Sequence, residues 1–175
     1  MDSWITHALP GAVAYAASLL GNREKADDIV QECVCRLLLT AARYNLPRDG
    51  RRLLFRSITN ACMNAISRER GEMSLDEVGR ASTDGKWELQ DAAAMVPPDL
   101  AIAEEMRKLV HLGLAALPVR QRSAIELWSF GYNTHEIADM LSLSGSNVRV
   151  IIHRARTAMA EFLRARGVQG TEGQE

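Results

Sequence analysis

Apolar residues recur with helical periodicity along most of this 175-residue chain. The clearest case is the segment 23–42, in which apolar side chains follow one another every three or four residues and form one continuous stripe. The stripe consists of Ala26, Ile29, Val30, Cys33, Val34, Leu37 and Leu38. Similar patterns predict further helices over residues 7–20, 51–70, 99–116 and 119–130, and two more between 134 and 166. The chain is therefore predicted to be all-α.

Two interruptions of this pattern suggest how the chain is organised. Residues 44–50, YNLPRDG, contain Pro and an Asp-Gly pair, which are typical of a loop. From residue 71 to 98 the periodicity is lost and Gly, Ser, Asp and Pro accumulate, which predicts a flexible linker. We expect two small helical domains, over 1–70 and 99–167, joined by the linker 71–98 and followed by a disordered tail over 168–175.

The composition agrees with helical domains, and the distribution of charge indicates a partner. Hydrophobic residues make up 47% of the chain and aromatic residues only 5%, which suits helical bundles better than sheets. The formal net charge is only −1, but basic residues dominate 48–70 and the last helix, while acidic residues dominate 71–105. This alternation predicts two DNA contacts joined by an acidic segment that avoids DNA.

The sequence lacks the patterns of a catalytic, metal-binding or membrane protein. Cys33, Cys35 and Cys62 form no CxxC pair, so we expect core or incidental cysteines rather than a disulfide framework or a zinc site. The four histidines are scattered, and no Ser/His/Asp, paired-carboxylate or Gly-rich phosphate motif is present. The N-terminus does not have a signal pattern, and no apolar run approaches ~18 residues. A soluble, cytoplasmic protein that is not an enzyme and needs no cofactor or metal is expected.

The segment 134–156 has the pattern of a helix-turn-helix. Thr134 is a candidate N-cap for a short first helix, and residues 142–144 form the turn. Ser144 is positioned to accept hydrogen bonds from the first amides of the second helix. That helix has one apolar stripe and one polar side, which begins with Ser146 and Asn147 and continues with arginines. A helix that reads bases in a major groove needs this arrangement.

The predicted helix 51–70 has a second polar row. At intervals of four residues it presents Arg52, Arg56, Asn60, Asn64 and Arg68, without one acidic residue. Side-chain amides suit the edges of unpaired bases and guanidinium groups suit the phosphate backbone. The row is a candidate surface for single-stranded DNA.

Three segments, in this order, resemble the extracytoplasmic-function (group 4) sigma factors of bacterial RNA polymerase. KADDIVQECVCRLL is similar to region 2.2 of that family, and RRLLFRSITNACMNAISRER is similar to regions 2.3–2.4. LPVRQRSAIELWSFGYNTHEIADMLSLSGSNVRVIIHRAR is similar to region 4. The resemblance covers residues from about 5 to 165. It implies a region 2 bundle, a region 4 helix-turn-helix, and promoter recognition for core RNA polymerase without chemistry of its own.

The resemblance also assigns roles to residues. It places Asp28, Gln31, Glu32 and Arg36 on the clamp helices of the polymerase β′ subunit, and region 4 on the β flap. It assigns the −10 element to Arg52, Arg56, Asn60, Asn64 and Arg68. It assigns the −35 element to Ser146, Asn147, Arg149, Val150, His153 and Arg154. Tyr44 is a candidate for base stacking, although packing beneath its loop is the alternative.

The chain departs from the family at two places, and its partners are otherwise those of the family. Many members have Asp at the position of Asn64, and a typical member has Lys-Ser-Arg where this chain has Arg149, Val150 and Ile151. Its base preferences therefore do not follow from the family. Core RNA polymerase and promoter DNA are the expected partners, with an anti-sigma factor as a candidate third. No heptad seam for dimerisation is evident, so a monomer is expected.

Three alternative functions remain open at this point. A stand-alone helix-turn-helix regulator explains residues 118–166 but leaves the polar row of helix 51–70 without a role. A helical protein that sequesters a partner and has lost DNA binding is favoured slightly by Val150 and Ile151, and disfavoured by the basic last helix. An enzyme fits least, because no catalytic motif is present.

Overall fold

The computed structural model describes residues 3–73 and 98–168, and within these ranges the chain is all-α, as predicted. The first unit contains α1 (Ser3–Leu20), α2 (Arg23–Leu39), a short 3-10 helix (Ala41–Arg43) and α3 (Leu46–Met73). The second unit contains α4 (Pro98–Ala116), α5 (Val119–Ser129), α6 (Thr134–Leu141) and α7 (Gly145–Arg164). We call them the N-terminal and C-terminal units. The predicted linker and tail lie largely outside the described residues.

The N-terminal unit is a bundle that buries the stripe of α2 against α1 and α3. Ala26, Val30, Cys33 and Leu37 are buried, as the periodicity predicts. Leu38 was predicted to be in the same stripe but is 42% exposed. The side chain lies one residue beyond Leu37, about 100° around the helix, so it reaches the edge of the buried side and not its centre.

The predicted loop 44–50 is mostly helical, because α3 begins at Leu46. The side chain of Asn45 accepts a hydrogen bond from the backbone amide of Arg48 at 3.3 Å and caps the helix. Pro47 then lies in the first turn, where a missing amide costs nothing. Gly50 lies close to the Trp4 ring, since a Cβ there would be 2.6 Å from Cζ2 of Trp4. These residues act as the start of a helix and a close helix contact, not as a turn.

The C-terminal unit contains the predicted helix-turn-helix in α6 and α7. Its first helix is capped by Asn133 and not by Thr134, which was the predicted cap. The Asn133 side chain accepts from the amides of His135 at 2.9 Å and Glu136 at 3.0 Å. The Glu136 carboxylate accepts from the Asn133 amide at 2.9 Å, which completes a capping box. The predicted cap of α7 is confirmed, because Ser144 accepts from the amide of Asn147 at 3.3 Å.

Buried side chains of the two units form one continuous hydrophobic cluster. It extends from Ala8 in α1 through Phe55 in α3 to Leu127, Ile137 and Ile152 of the C-terminal unit. The two cysteines in this cluster support the prediction of core cysteines: Cys33 and Cys62 are buried, and burial raises the pKa of the Cys62 thiol to about 12. Among the described residues, no group of His, Cys, Asp and Glu could hold a metal ion. Nor does any helix in these two ranges have the length and apolar character to cross a membrane.

Candidate polymerase and nucleic-acid interfaces

The four residues predicted to contact polymerase share one exposed side of α2. We call this surface the α2 face, and it consists of Asp28, Gln31, Glu32 and Arg36. Their spacing of three and four residues keeps them in line on the helix. The guanidinium of Arg36 forms an ion pair with the carboxylate of Glu32 one turn earlier. The buried stripe on the opposite side orients this surface outward.

An apolar side chain continues the α2 face and was missed by the sequence analysis. Leu39, the last residue of α2, is 87% exposed and lies three residues beyond Arg36. The signal was available, because Leu39 falls outside the apolar stripe of its own helix. Protein interfaces commonly combine a polar margin with a few exposed apolar side chains.

The candidate single-strand surface is the α3 row, which consists of Arg52, Arg56, Asn60, Asn64 and Arg68. Asn60, Asn64 and Arg68 are exposed, whereas Arg52 and Arg56 are partly buried. The row is continuous along α3, but its two ends have different surroundings.

The N-terminal end of the α3 row contacts α6 of the C-terminal unit. Nη1 of Arg56 lies 3.2 Å from Oδ2 and 3.3 Å from Oδ1 of Asp139. Nη1 of Arg52 lies 3.8 Å from the same Oδ2. Sequence reasoning gave Asp139 no role, because an acidic residue on a short amphipathic helix has the pattern of a solvated surface. No local signal identifies a partner that lies 83 positions away in the chain.

Aromatic rings pack across the same interface. Phe55 of α3 lies 5.2 Å from Phe130 and 5.8 Å from Tyr132 between ring centroids. Tyr15 of α1 lies 6.1 Å from Phe130 in an edge-to-face arrangement. Arg51 covers this cluster, with its guanidinium carbon 5.3 Å from the centroid of Tyr132. Aromatic contacts of this kind stabilise an interface beyond the area that they bury.

A third contact joins the end of α1 to α5. The guanidinium of Arg122 donates to the backbone carbonyl of Ser18, in the last turn of α1, and to that of Ala115 at 2.6 Å. Carbonyls in the last turn of a helix have no partner within the helix, so an arginine from another element can satisfy them. Ser18 also forms a side-chain hydrogen bond with Glu126. Burial raises the pKa of Glu126 to about 7, against the opposing effects of Ser18 and Arg122.

The six residues predicted to contact the −35 element are all exposed along α7. We call this surface the α7 face, and it consists of Ser146, Asn147, Arg149, Val150, His153 and Arg154. On the other side of α7, Val148, Ile152 and Ala155 are buried. Val150 is 46% exposed among polar neighbours. The helix therefore presents its polar side and one apolar side chain outward.

Tyr44, the candidate for base stacking, lies between the 3-10 helix and α3. It is 49% exposed, so its ring is not fully packed beneath the segment. Part of the Tyr44 surface is therefore available to a partner.

Comparison with known proteins relates both units to one family. The chain matches the family model of Sigma-70 region 2 over residues 4–72 and that of Sigma-70 region 4 over residues 107–159. It is 28% identical over 150 residues to the ECF RNA polymerase sigma factor SigW of Bacillus subtilis, an alignment that covers 83% of this chain and 79% of the relative.

A solved structure has the same fold. The chain resembles the sigma factor RpoE of Bartonella quintana, in a co-crystal structure with the anti-sigma factor NepR. The TM-score is 0.65, and the match covers 92% of this chain and 94% of that chain at 21% sequence identity. At this identity the likeness establishes the fold alone.

Proposed function

The chain belongs to the extracytoplasmic-function group of the sigma-70 family of transcription initiation factors, and we propose that its three candidate surfaces divide polymerase binding and promoter recognition among them. Members of this family are not enzymes, and they act with core RNA polymerase and promoter DNA. The N-terminal unit corresponds to region 2 and the C-terminal unit to region 4. The proposal concerns which residues perform each step.

The α2 face docks on the clamp helices of the polymerase β′ subunit. Its four polar side chains are exposed on a rigid helix, and Leu39 supplies apolar surface at one end. The ion pair between Arg36 and Glu32 orders two long side chains before binding, which lowers the entropic cost of docking. The region 4 unit contacts the polymerase β flap.

The α3 row binds the unpaired −10 strand. Asn60 and Asn64 offer amide donors and acceptors to base edges, and Arg56 and Arg68 offer guanidinium groups to phosphates. Tyr44 is exposed enough to stack on a base.

The α7 face reads the −35 element in the major groove. Ser146, Asn147 and Arg149 lie in the first turns of α7, where helix-turn-helix proteins contact bases. Val150 reads an apolar feature such as a thymine methyl, since it has no hydrogen-bonding group. His153 and Arg154 lie one turn further on and contact the backbone. The observation that carries the proposal is the joint exposure of this polar side and of the outer part of the α3 row.

The free protein is proposed to be a cytoplasmic monomer. An anti-sigma factor is a further proposed partner, because the Bartonella relative is bound to one. A stand-alone regulator would use only the region 4 unit, whereas the family match includes region 2 over residues 4–72.

Run-off transcription tests this function directly. Core RNA polymerase of the same bacterium would transcribe fragmented genomic DNA with and without the protein. Discrete start sites that appear only with the protein are the expected result, and their alignment gives both promoter elements. No new start sites, or no binding to polymerase, would contradict the proposal.

A paired substitution tests the α2 face. Asp28→Ala is expected to lower the affinity for core polymerase about tenfold, because it removes one of the charged side chains of the proposed contact. Asp27→Ala is the matched control, since Asp27 is exposed on the same helix, is outside the face and faces Arg23 at 4.0 Å. Equal losses in both variants would show that only the overall charge of α2 matters.

A further inference from the structure

The two halves of the α3 row differ in accessibility. Asn64 and Arg68 are exposed, whereas Arg52 and Arg56 lie against α6. Asn60, between them, lines a groove of about 390 Å³ that is also lined by Leu141 at the end of α6 and by Ser142 and Leu143 of the turn that follows. A strand that follows the whole row would therefore meet the helix-turn-helix before it reached Arg56.

Asp139 contacts one guanidinium nitrogen of each of the two arginines at the N-terminal end of the α3 row. Both of its carboxylate oxygens lie within 3.3 Å of Nη1 of Arg56, and Oδ2 lies 3.8 Å from Arg52. A carboxylate offers two negative oxygens to a guanidinium in much the same way as a phosphate does. Asp139 and a backbone phosphate of the −10 strand would then compete for the same N–H groups.

Two further contacts between the units hold α6 in this position. The ion pair therefore does not depend on its own side chains alone to bring them together. The ring of Tyr132, just before α6, packs on Phe55 at 5.8 Å. Arg122 of α5 donates a hydrogen bond to the backbone carbonyl of Ser18, which joins the C-terminal unit to the last turn of α1. These contacts place Asp139 opposite Arg52 and Arg56 in the folded chain.

We propose that this arrangement is an autoinhibitory contact, in which Asp139 of region 4 masks the −10 surface of region 2 by occupying Arg52 and Arg56 in the place of a DNA phosphate. The inference rests on the function proposed above. It assigns core polymerase a second task, which is to separate α6 from α3. The α7 face stays exposed in the closed chain, so closure masks the −10 surface selectively.

The test uses the free, full-length protein and a fluorescent, random-sequence single-stranded DNA 12-mer as the probe. Asp139→Asn keeps the size of the side chain and removes its charge. It is expected to raise the affinity for the 12-mer about threefold to tenfold, because loss of a half-exposed ion pair shifts the population toward the open chain. Glu161→Gln is the matched control, since it removes one exposed carboxylate from the same unit. It is expected to change the affinity less than twofold.

The outcomes separate this inference from the proposed function. An equal increase in both variants, or no increase in D139N, would overturn the autoinhibitory contact. Run-off transcription on genomic fragments with core polymerase would be measured on the same preparations. Suppose that the wild-type protein produces start sites but D139N binds the 12-mer no better than the wild type. This result would overturn the autoinhibitory contact and leave the proposed function in place. No start sites with either protein would overturn the function, whereas retained transcription by D139N would also show that this variant folds.

Discussion

The α3 row and the α7 face are both proposed to bind DNA, yet they differ in how exposed they are in the folded chain. Every residue of the α7 face is exposed, and its helix uses only the opposite side for packing. The α3 row has one end against the C-terminal unit, where Arg56 meets Asp139. The surface proposed for duplex DNA is thus exposed in the free chain, and the surface proposed for single-stranded DNA is partly covered.

The difference arises from the packing of the two units. The polar side of α7 points away from the shared hydrophobic cluster, so the packing of the two units leaves this side exposed. In α3 the buried residues Phe55 and Ile58 lie next to the polar residues Arg52 and Arg56. An element that packs on Phe55 necessarily comes close to the beginning of the row. The packing of the two units therefore determines how accessible the N-terminal end of the α3 row is.

The largest expected effect is loss of the aromatic contact at the interface. Phe55→Ala removes a ring that is 1% exposed and contacts Tyr15, Phe130 and Tyr132. It is expected to lower the free energy of unfolding by about 3–5 kcal/mol, from lost burial and a cavity. Urea unfolding would be followed by tryptophan fluorescence in two single-tryptophan backgrounds, in which Trp87 and either Trp128 or Trp4 are replaced by Phe. The remaining Trp4 then reports on the N-terminal unit, and the remaining Trp128 on the C-terminal unit.

Both tryptophan signals should shift together if the cluster couples the two units. Tyr44→Ala is the control, since Tyr44 is a half-exposed aromatic residue outside the cluster. A shift confined to the Trp4 signal would show that the interface contributes nothing to the stability of the C-terminal unit.

The next effect concerns pH and Glu126, which lies at the contact between α1 and α5. Ser18 and Tyr15 face it from α1, and Arg122 faces it from its own helix. Burial raises the pKa of Glu126 from 4.5 to about 7. Below pH 4.5 the carboxyl group is protonated in both the folded and unfolded chains. Between pH 4.5 and 7 the unfolded chain loses this proton first, so stability falls as pH rises.

The expected loss over that range is on the order of 2 kcal/mol. It is measured as the difference in unfolding free energy between the wild type and E126Q, which cancels the titration of other groups. From pH 5 to pH 8, the unfolding free energy of E126Q should rise relative to that of the wild type. E161Q, altered at an exposed position away from the interface, is the control. A constant difference for E126Q would refute burial of this carboxyl group.

The helices themselves were predictable because nearly all of them are amphipathic. The stripe of α2 and the two helices of the helix-turn-helix follow from apolar spacing alone. The errors lie at boundaries, where local signals compete. Pro47 and the Asp49-Gly50 pair resemble a turn, but Asn45 provides a cap and Trp4 needs the small Gly50 beside it. In the same way, Asn133 and Thr134 are both competent caps, and the capping box with Glu136 selects Asn133.

The candidate surfaces were predictable as sets of residues, and their surroundings were not. A row such as Arg52, Arg56 and Asn60 is visible in the sequence because its members are four residues apart on one helix. The partner Asp139 is not visible, since its position depends on how α6 packs on α3. Leu39 is an intermediate case, as its exposure follows from the helical period once the buried stripe is known.

A smaller effect is expected on the α7 face, where a substitution should change DNA affinity without changing the stability of the fold. Arg149→Ala is expected to weaken binding to a duplex that carries the −35 element of a mapped promoter by about tenfold. Because Arg149 is exposed, the free energy of unfolding should change by less than about 0.5 kcal/mol. Fluorescence anisotropy and urea unfolding measure the two quantities. Arg164→Ala, at the other end of the same helix, is the control. Equal weakening by both would indicate a general charge effect without base reading.

The most direct test of the central claim is the distance between the two units before and after polymerase binds. Dyes would be attached through Glu69→Cys on α3 and Thr157→Cys on α7, after replacement of the exposed Cys35 by Ser. Energy transfer between the dyes should be efficient in the free protein, where α3 and the helix-turn-helix are in contact. It should fall strongly on a promoter with core polymerase, because the −10 and −35 elements lie about 70 Å apart, two helical turns. Equal transfer in both states, or low transfer in the free protein, would contradict a closed chain that polymerase opens.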